Sequence, residues 1–274
     1  MSHLLFITRI LVEGILIFNA FTFLLSYYEN NNIEEKPDVP VYQWIIAFIY
    51  EFFISILYLP LFLFGLFDYN YLRIRSYKEE KEIPVILVHP YLMNRGCMIY
   101  LFLKLKKEGY KNVYALTVTP KFAPIEFQAA RFAEMVEQIL KKHNSQKFIG
   151  IGHSQGGIIL RYYVQKMNGL DKIERLITIG SPNQGTKLGI FARSFNGKQM
   201  NYQSDFIKNL NQEIPEALKL LCIFSPTDNM ILPWTAGKLQ EKDYYITPPL
   251  GHGSLIFSPD VANKILSYLE EKED

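Results

Sequence analysis

The residues best suited to chemistry lie in the segment KFIGIGHSQGG, which holds Gly152-His153-Ser154-Gln155-Gly156. An apolar, strand-like run precedes this pentapeptide, and a helical pattern, IILRYYVQKM, follows it at once. A serine hydroxyl is a poor nucleophile until it is exposed in a strained turn and given a base. Glycines two residues before and after Ser154 remove Cβ atoms that would clash in so sharp a strand-to-helix turn. Gly-x-Ser-x-Gly alone is a weak signal, because glycine and serine are common. Its place between a strand and a helix favours a nucleophile over an incidental turn.

A nucleophilic serine needs a histidine base and an acid to orient it. In the chain order serine, acid, histidine, only His252 lies beyond Ser154. It sits in PPLGHGSLIFSP, a loop between an expected strand and the last expected helix. His3 is at the N-terminus, His143 ends an expected surface helix, and His153 adjoins Ser154, so their side chains should point apart. Asp228 in LLCIFSPTDNM stands just past a strand end, where it can hold the His252 tautomer. A turn-forming aspartate is the competing account, since PTDN is also a turn sequence. Asp205 and Asp243 are less well placed, one in an insertion and one at the wrong end of a strand. An oxyanion would need two backbone N–H groups. Those of Gln155, opening the helix, and of Tyr91, in the loop after VILVHP, are the candidates.

The elements that must carry these residues alternate between strand and helix. Strand-like IPVILVHP, NVYALTVT, KFIGIGH, ERLITIGS, LKLLCIFS and DYYITPPL are separated or followed by helical patterns near 96–107, 124–143, 154–166 and 260–272. Strands that are apolar on both faces predict a mostly parallel sheet with helices on both sides. This α/β unit is expected to occupy 83–274. The stretch 184–216 interrupts the alternation with spaced apolar residues (Leu188, Phe191, Phe195, Met200, Phe206, Leu210), as a small cap or a long surface connection would.

The first 72 residues are of another kind. Two apolar runs, about 10–28 and 41–67, flank the polar stretch ENNNIEEKPDVP. The first would rise roughly 28 Å as a helix, close to the hydrocarbon thickness of a bilayer. They predict a hairpin of two transmembrane helices, joined by a charged linker at 73–82 to the α/β unit. The competing accounts, a cleaved signal peptide and a buried core helix, fit poorly: no small-residue cleavage site follows the first run, and the second is too long. Lys36 is the one cation in the connecting loop, whereas Arg9, Arg73, Arg75, Lys78 and Lys81 lie on the flanks. The positive-inside rule then puts the α/β unit on the cytoplasmic side. Glu13 can pair with Arg9 one turn away, and Glu51 is at a depth where it can meet Asn19 across the hairpin.

Composition narrows the partners. Lys+Arg number 29 against 27 Asp+Glu, a net charge of +2, with no basic tract among aromatics, so nucleic acid is not an expected partner. The histidines are scattered outside any metal-ligand spacing, and neither metal nor cofactor is expected. Cys97 and Cys222 read as separate buried thiols rather than a disulfide.

From Ile83 to the C-terminus the chain resembles the bacterial triacylglycerol lipases of the α/β-hydrolase superfamily. The resemblance rests on VILVHPY, GHSQGG, LITIGSPNQGT, SPTDNMILP and GHGSLIFSP taken together. It implies an α/β-hydrolase fold and hydrolysis of carboxylic esters, such as acyl lipids, through an acyl-serine without a cofactor. With the hairpin, it implies an enzyme of the bacterial inner membrane. Two positions depart from the pattern: Pro90 replaces the usual glycine before the oxyanion residue, and Asn183 stands where such lipases often have histidine. GHSQGG also resembles palmitoyl-protein thioesterases, which keeps thioesters open as substrates. An acyltransferase with the same triad, or a silent membrane scaffold, are the remaining alternatives.

Overall fold

The computed structural model describes residues 2–70 and 80–271. Arg73, Arg75 and Lys78, and with them most of the expected linker, lie outside the described residues.

Six strands form one parallel sheet: β1 (Val85–Val88), β2 (Val113–Leu116), β3 (Phe148–His153), β4 (Ile173–Ile179), β5 (Leu220–Phe224) and β6 (Asp243–Ile246). Their spatial order is β2-β1-β3-β4-β5-β6, with β3 near the centre. Neighbours pair in register, for example Leu87 with Ile151 and Ile151 with Ile177. Alternate residues feed two cores. Ile86, Val88 and Phe148 pack towards α4 (Ile125–His143) and α5 (Gln155–Lys166), in a cluster holding Phe132 and Tyr163. Val85, Leu87 and Ile151 pack with Phe102 of α3 (Ile99–Lys107) and Ile265 of α8 (Pro259–Glu270). Because β1, β3 and β5 are buried throughout, they read as unbroken apolar runs rather than alternating ones.

The segment 184–216 holds two short helices, α6 (Phe195–Gln199) and α7 (Asp205–Gln212), each capped by a serine that accepts a backbone N–H. Cys97 and Cys222 are buried free thiols, as expected.

The N-terminal runs form α1 (Ser2–Asn31) and α2 (Val41–Phe64). The first is longer than its apolar run, with Arg9 Nε donating to Glu13 at 2.7 Å on its exposed face. The second passes through Pro60 and stops at Gly65, whose N–H caps the carbonyl of Leu61 at 2.8 Å. Both helices are long and apolar enough to cross a membrane, and only 22% and 17% of their most apolar windows are buried in protein.

The hairpin is not held clear of the sheet. At its loop end Glu29 meets Lys187, Asn30 Oδ1 accepts from Trp234 N at 2.9 Å, and the Glu35 carbonyl accepts from Trp234 Nε1 at 2.9 Å. At its other end the Phe62 carbonyl accepts from Asn94 Nδ2 at 2.9 Å. There a Cβ on Gly96 would lie 1.9 Å from the Leu61 carbonyl oxygen, so only glycine admits this contact. Buried Asn19, Thr22, Ser26 and Asn30 are spaced at three and four residues on one face of α1, and the last three of them bond to the sheet domain.

The expected Asn19–Glu51 bond is not formed. Asn19 Nδ2 donates to Ser55 Oγ at 3.1 Å, while Glu51 turns away from the hairpin into the α/β domain. A buried carboxylate takes the site with the most donors, and backbone N–H groups of the 253–254 turn outnumber what one asparagine offers.

Candidate active site

Ser154 stands between β3 and α5 with φ 55° and ψ −123°, a strained conformation for a residue bearing a Cβ. The surrounding chain makes the turn possible. A Cβ on Gly152 would lie 2.4 Å from Gly157 N, and one on Gly156 would lie 2.3 Å from the Val88 carbonyl oxygen. The Ser154 N–H is tied to the Ile179 carbonyl at 2.8 Å, which fixes the turn on the neighbouring strand.

Asp228 and His252, from the loops after β5 and β6, are in contact. The His252 Nδ1 lies 2.9 Å from Asp228 Oδ2 and 3.1 Å from Oδ1. Asp228 Oδ1 also accepts the N–H groups of Met230 at 2.8 Å and Ile231 at 3.0 Å, so the carboxylate cannot swing. The Nδ1 contact leaves Nε2 as the free ring nitrogen, and His252 and Ser154 line the same cavity. No hydrogen bond joins Ser154 Oγ to His252 among the described residues. Such contacts are often long before substrate binds. Burial disfavours the His252 imidazolium, but the charge and hydrogen bond of Asp228 outweigh it, and the pKa is raised from its ordinary value.

His153 does not point clear of the site. Its ring lies against that of His252, centroids 4.7 Å apart, and its Nε2 donates to the His252 carbonyl at 3.0 Å. Burial pushes its pKa well down, so it stays neutral beside the imidazole it supports.

The N–H groups of Tyr91 and Gln155 have no backbone acceptor among the described residues. The loop carrying Tyr91 is braced from beneath by His89, whose Nδ1 lies 2.7 Å from the Pro90 carbonyl. His89 Nε2 accepts the Val118 N–H at 3.1 Å, which sets the ring tautomer. Burial lowers its pKa to about 4, so it braces this loop as a neutral ring. The Gln155 side chain is held by Gln128 at 2.8 Å. Asn183 proves to be a packing residue: its Nδ2 donates to the Gly237 carbonyl at 2.8 Å and its Oδ1 accepts from buried Arg161 at 3.2 Å.

Ser154 and His252 open onto a cavity of about 590 Å³, within the range of small-ligand sites. Its walls include the 90–93 loop, the 186–200 segment, the 229–231 stretch after Asp228, and the hairpin through Phe18, Phe21, Ser55 and Tyr58. The rim is apolar and exposed, with Phe21 packed edge-on to Phe191 at 6.2 Å. The hairpin also secures the acid loop. Ser26 Oγ donates to the Asp228 carbonyl at 2.8 Å, and Asn229 bridges Thr22 Oγ1 (2.8 Å) to the His252 N–H (3.0 Å).

Sequence reasoning missed Glu51, Thr22, Ser26, Asn30, Asn229 and His89 as parts of this site. The 19-22-26-30 polar stripe on an otherwise apolar helix was the available signal, since a lipid-facing surface has no use for it.

The parallel sheet with flanking helices, and a serine elbow at the end of its central strand, define an α/β-hydrolase fold. Residues 84–213, just under half of the chain, match the model of the palmitoyl protein thioesterase family; this stretch includes the Ser154 elbow and stops short of Asp228. No curated protein sequence matches the chain. Among similar solved structures is the lin2722 product of Listeria innocua, 18% identical, with a TM-score of 0.56 over 71% of this chain and 96% of its own. The mature lipase BlEst2 of Bacillus licheniformis is 15% identical, with a TM-score of 0.59 over 72% of this chain and 95% of its own. Phospholipase PlaB of Legionella pneumophila is 17% identical, with a TM-score of 0.55 over 70% of this chain and 60% of its own. At these identities the likeness is one of fold.

Proposed function

We propose that this protein is a serine hydrolase that cleaves acyl esters at a lipid surface. The observation that carries the reading is the Asp228–His252 pair opening, with the strained Ser154, onto one apolar cavity. His252 Nε2 takes the Ser154 Oγ proton as Oγ bonds to the acyl carbon, and the carbonyl oxygen gains the negative charge. The Tyr91 and Gln155 N–H groups are positioned by sequence to hold that oxyanion. Its collapse breaks the bond to the leaving group, which departs with the proton from Nε2. Water then repeats the sequence on the acyl-serine and releases the acid. Neither a metal nor a cofactor enters these steps.

A thioester is the second reading, favoured by the family match across residues 84–213. The chemistry differs only in whether an alcohol or a thiol leaves.

The apolar rim supports a long acyl chain, and the exposed faces of α1 and α2 support a membrane as its source. A hairpin crossing the bilayer would carry its loop about 30 Å from the side where its flanks emerge. Here one globular domain touches both the loop end, through Lys187 and Trp234, and the far end of α2, through Asn94. The helical rise from Val41 to Phe62 is itself about 31 Å. We therefore read the hairpin as embedded in the plane of one leaflet, with the cavity rim facing the acyl region, in place of a spanning anchor.

Fluorophosphonate labelling of the detergent-solubilised protein, beside Ser154→Ala, tests the chemistry. Labelling and turnover lost together in the variant, with turnover rising along a chain-length series of nitrophenyl esters, are expected. Equal labelling of both proteins would refute the assignment of Ser154. A matched thioester series decides between the leaving groups.

A further inference from the structure

The hairpin contributes a buried carboxylate to the loop that carries the candidate base. Glu51, from the middle of α2, enters the turn that follows His252. Its Oε1 accepts the Gly253 N–H at 2.8 Å; its Oε2 accepts the Ser254 N–H at 2.8 Å and the Ser254 Oγ–H at 2.6 Å. Every partner is a donor, which is the arrangement a carboxylate takes. Two turns further along α2, Tyr58 donates its phenol O–H to the Gly253 carbonyl at 3.2 Å.

The glycines on either side of His252 exist in this geometry to admit those two side chains. A Cβ on Gly251 would lie 2.5 Å from Glu51 Oε2 and 2.6 Å from Glu51 Cβ. One on Gly253 would lie 2.5 Å from the Tyr58 ring and 2.9 Å from Glu51 Oε1. The Gly-His-Gly sequence is thus shaped to receive the hairpin, from within a loop 200 residues away in the chain.

We propose that Glu51 is a positioning residue for His252: it holds the 251–254 turn so that the imidazole meets Ser154, making the hairpin an integral part of the catalytic site. This rests on the serine-hydrolase reading above. His252 is then braced by Asp228 at Nδ1, by the neutral His153 ring against its face, and by Asn229 at its backbone N–H. Glu51 and Tyr58 complete the set beneath the following residue. Burial raises the Glu51 pKa against the three donors that favour its carboxylate, and in its ionised form Glu51 favours the His252 imidazolium in the same sense as Asp228.

Glu51→Gln in the full-length, detergent-solubilised protein tests this, with Ser154→Ala and wild type alongside. Glutamine keeps the volume but brings one oxygen and one NH₂ group, so a donor of the turn must face another donor. The expected result is a kcat lowered by about ten- to a hundredfold, as small misplacements of catalytic groups produce, with KM little changed. The acid limb of kcat/KM should also move to lower pH, a shift that a purely structural loss would not cause.

Ser254→Ala removes one of the three donors and leaves the hairpin intact, so it gives an answer even if Glu51→Gln folds poorly. It should lower kcat more mildly and add little when combined with Glu51→Gln, because both act through one contact. Wild-type kcat and an unmoved acid limb in Glu51→Gln, or full additivity of the two changes, would overturn the proposal. If Ser154→Ala still turns substrate over, the underlying reading fails instead, whatever Glu51 does.

Discussion

Replacing Asp228 by asparagine should disable the site while preserving its shape, and the hydrogen bonds say why. Asp228 Oδ1 accepts two backbone N–H groups, from Met230 at 2.8 Å and Ile231 at 3.0 Å. In the asparagine variant the amide oxygen must stay there. The opposite rotamer would set an NH₂ against two buried donors, at about 1–3 kcal/mol for each one left unsatisfied. The NH₂ group therefore replaces Oδ2, which lies 2.9 Å from His252 Nδ1. The amide oxygen, 3.1 Å from Nδ1 and already accepting two N–H groups, is the poorer partner, so Nδ1 gives up its proton to accept from the closer NH₂ and the ring becomes the Nε2–H tautomer. The nitrogen facing Ser154 can then no longer take a proton. A tautomer error of this kind costs about 10⁴-fold in kcat in serine hydrolases, or about 5.4 kcal/mol of activation free energy. Steady-state turnover of a nitrophenyl ester would measure it, with thermal unfolding as the control for fold. A well-folded variant retaining more than about a tenth of wild-type kcat would refute the assigned hydrogen-bond pattern.

Two further outcomes follow from the same geometry. Because burial of His252 is outweighed by Asp228 and its pKa is raised, kcat/KM should fall on the acid side with a midpoint above the ordinary histidine value of about 6.5. The base must be neutral to act, so activity is lost as pH drops through that midpoint. By linkage the protonated ring's contribution to stability is full below pH 6.5 or so and disappears as pH rises through the folded-state value. An acid limb centred well below pH 6 would contradict the raised pKa. For the hairpin, Glu34→Cys in the connecting loop and Lys208→Cys in the catalytic domain should react with a membrane-impermeant maleimide from the same side of sealed vesicles. Both positions are exposed and the native thiols are buried. Labelling from opposite sides would show that the hairpin crosses the bilayer.

Much of the α/β domain could be read from local sequence because local physics makes it. Short apolar runs such as VILV and FIGIG, set between helical patterns, read as strands buried on both faces, and the glycines around Ser154 permit the tight turn that follows. The contact between Asp228 and His252 was also suggested by chain order: His252 is the one histidine past the elbow, and Asp228 lies in the loop after β5, between the two. His89 was harder to find. Its neutral, bracing role depends on the Val118 N–H, which the parallel pairing of β1 and β2 brings beside it.

The hairpin marks the boundary. Its two apolar runs establish that α1 and α2 are helices with faces unsuited to water, and hydropathy carries no more than that. The polar stripe Asn19-Thr22-Ser26-Asn30 and the carboxylate of Glu51 each needed a partner. Asn19 finds Ser55 within the hairpin, but the partners of Thr22, Ser26, Asn30 and Glu51 lie about 200 residues on, where a local pattern has no means to name them. The tertiary structure decided the matter by energy: burying Glu51 costs several kcal/mol unless donors converge on it, and the turn at 253–254 offers three. A one-dimensional pattern records which groups must be satisfied. Only the packed chain determines by what.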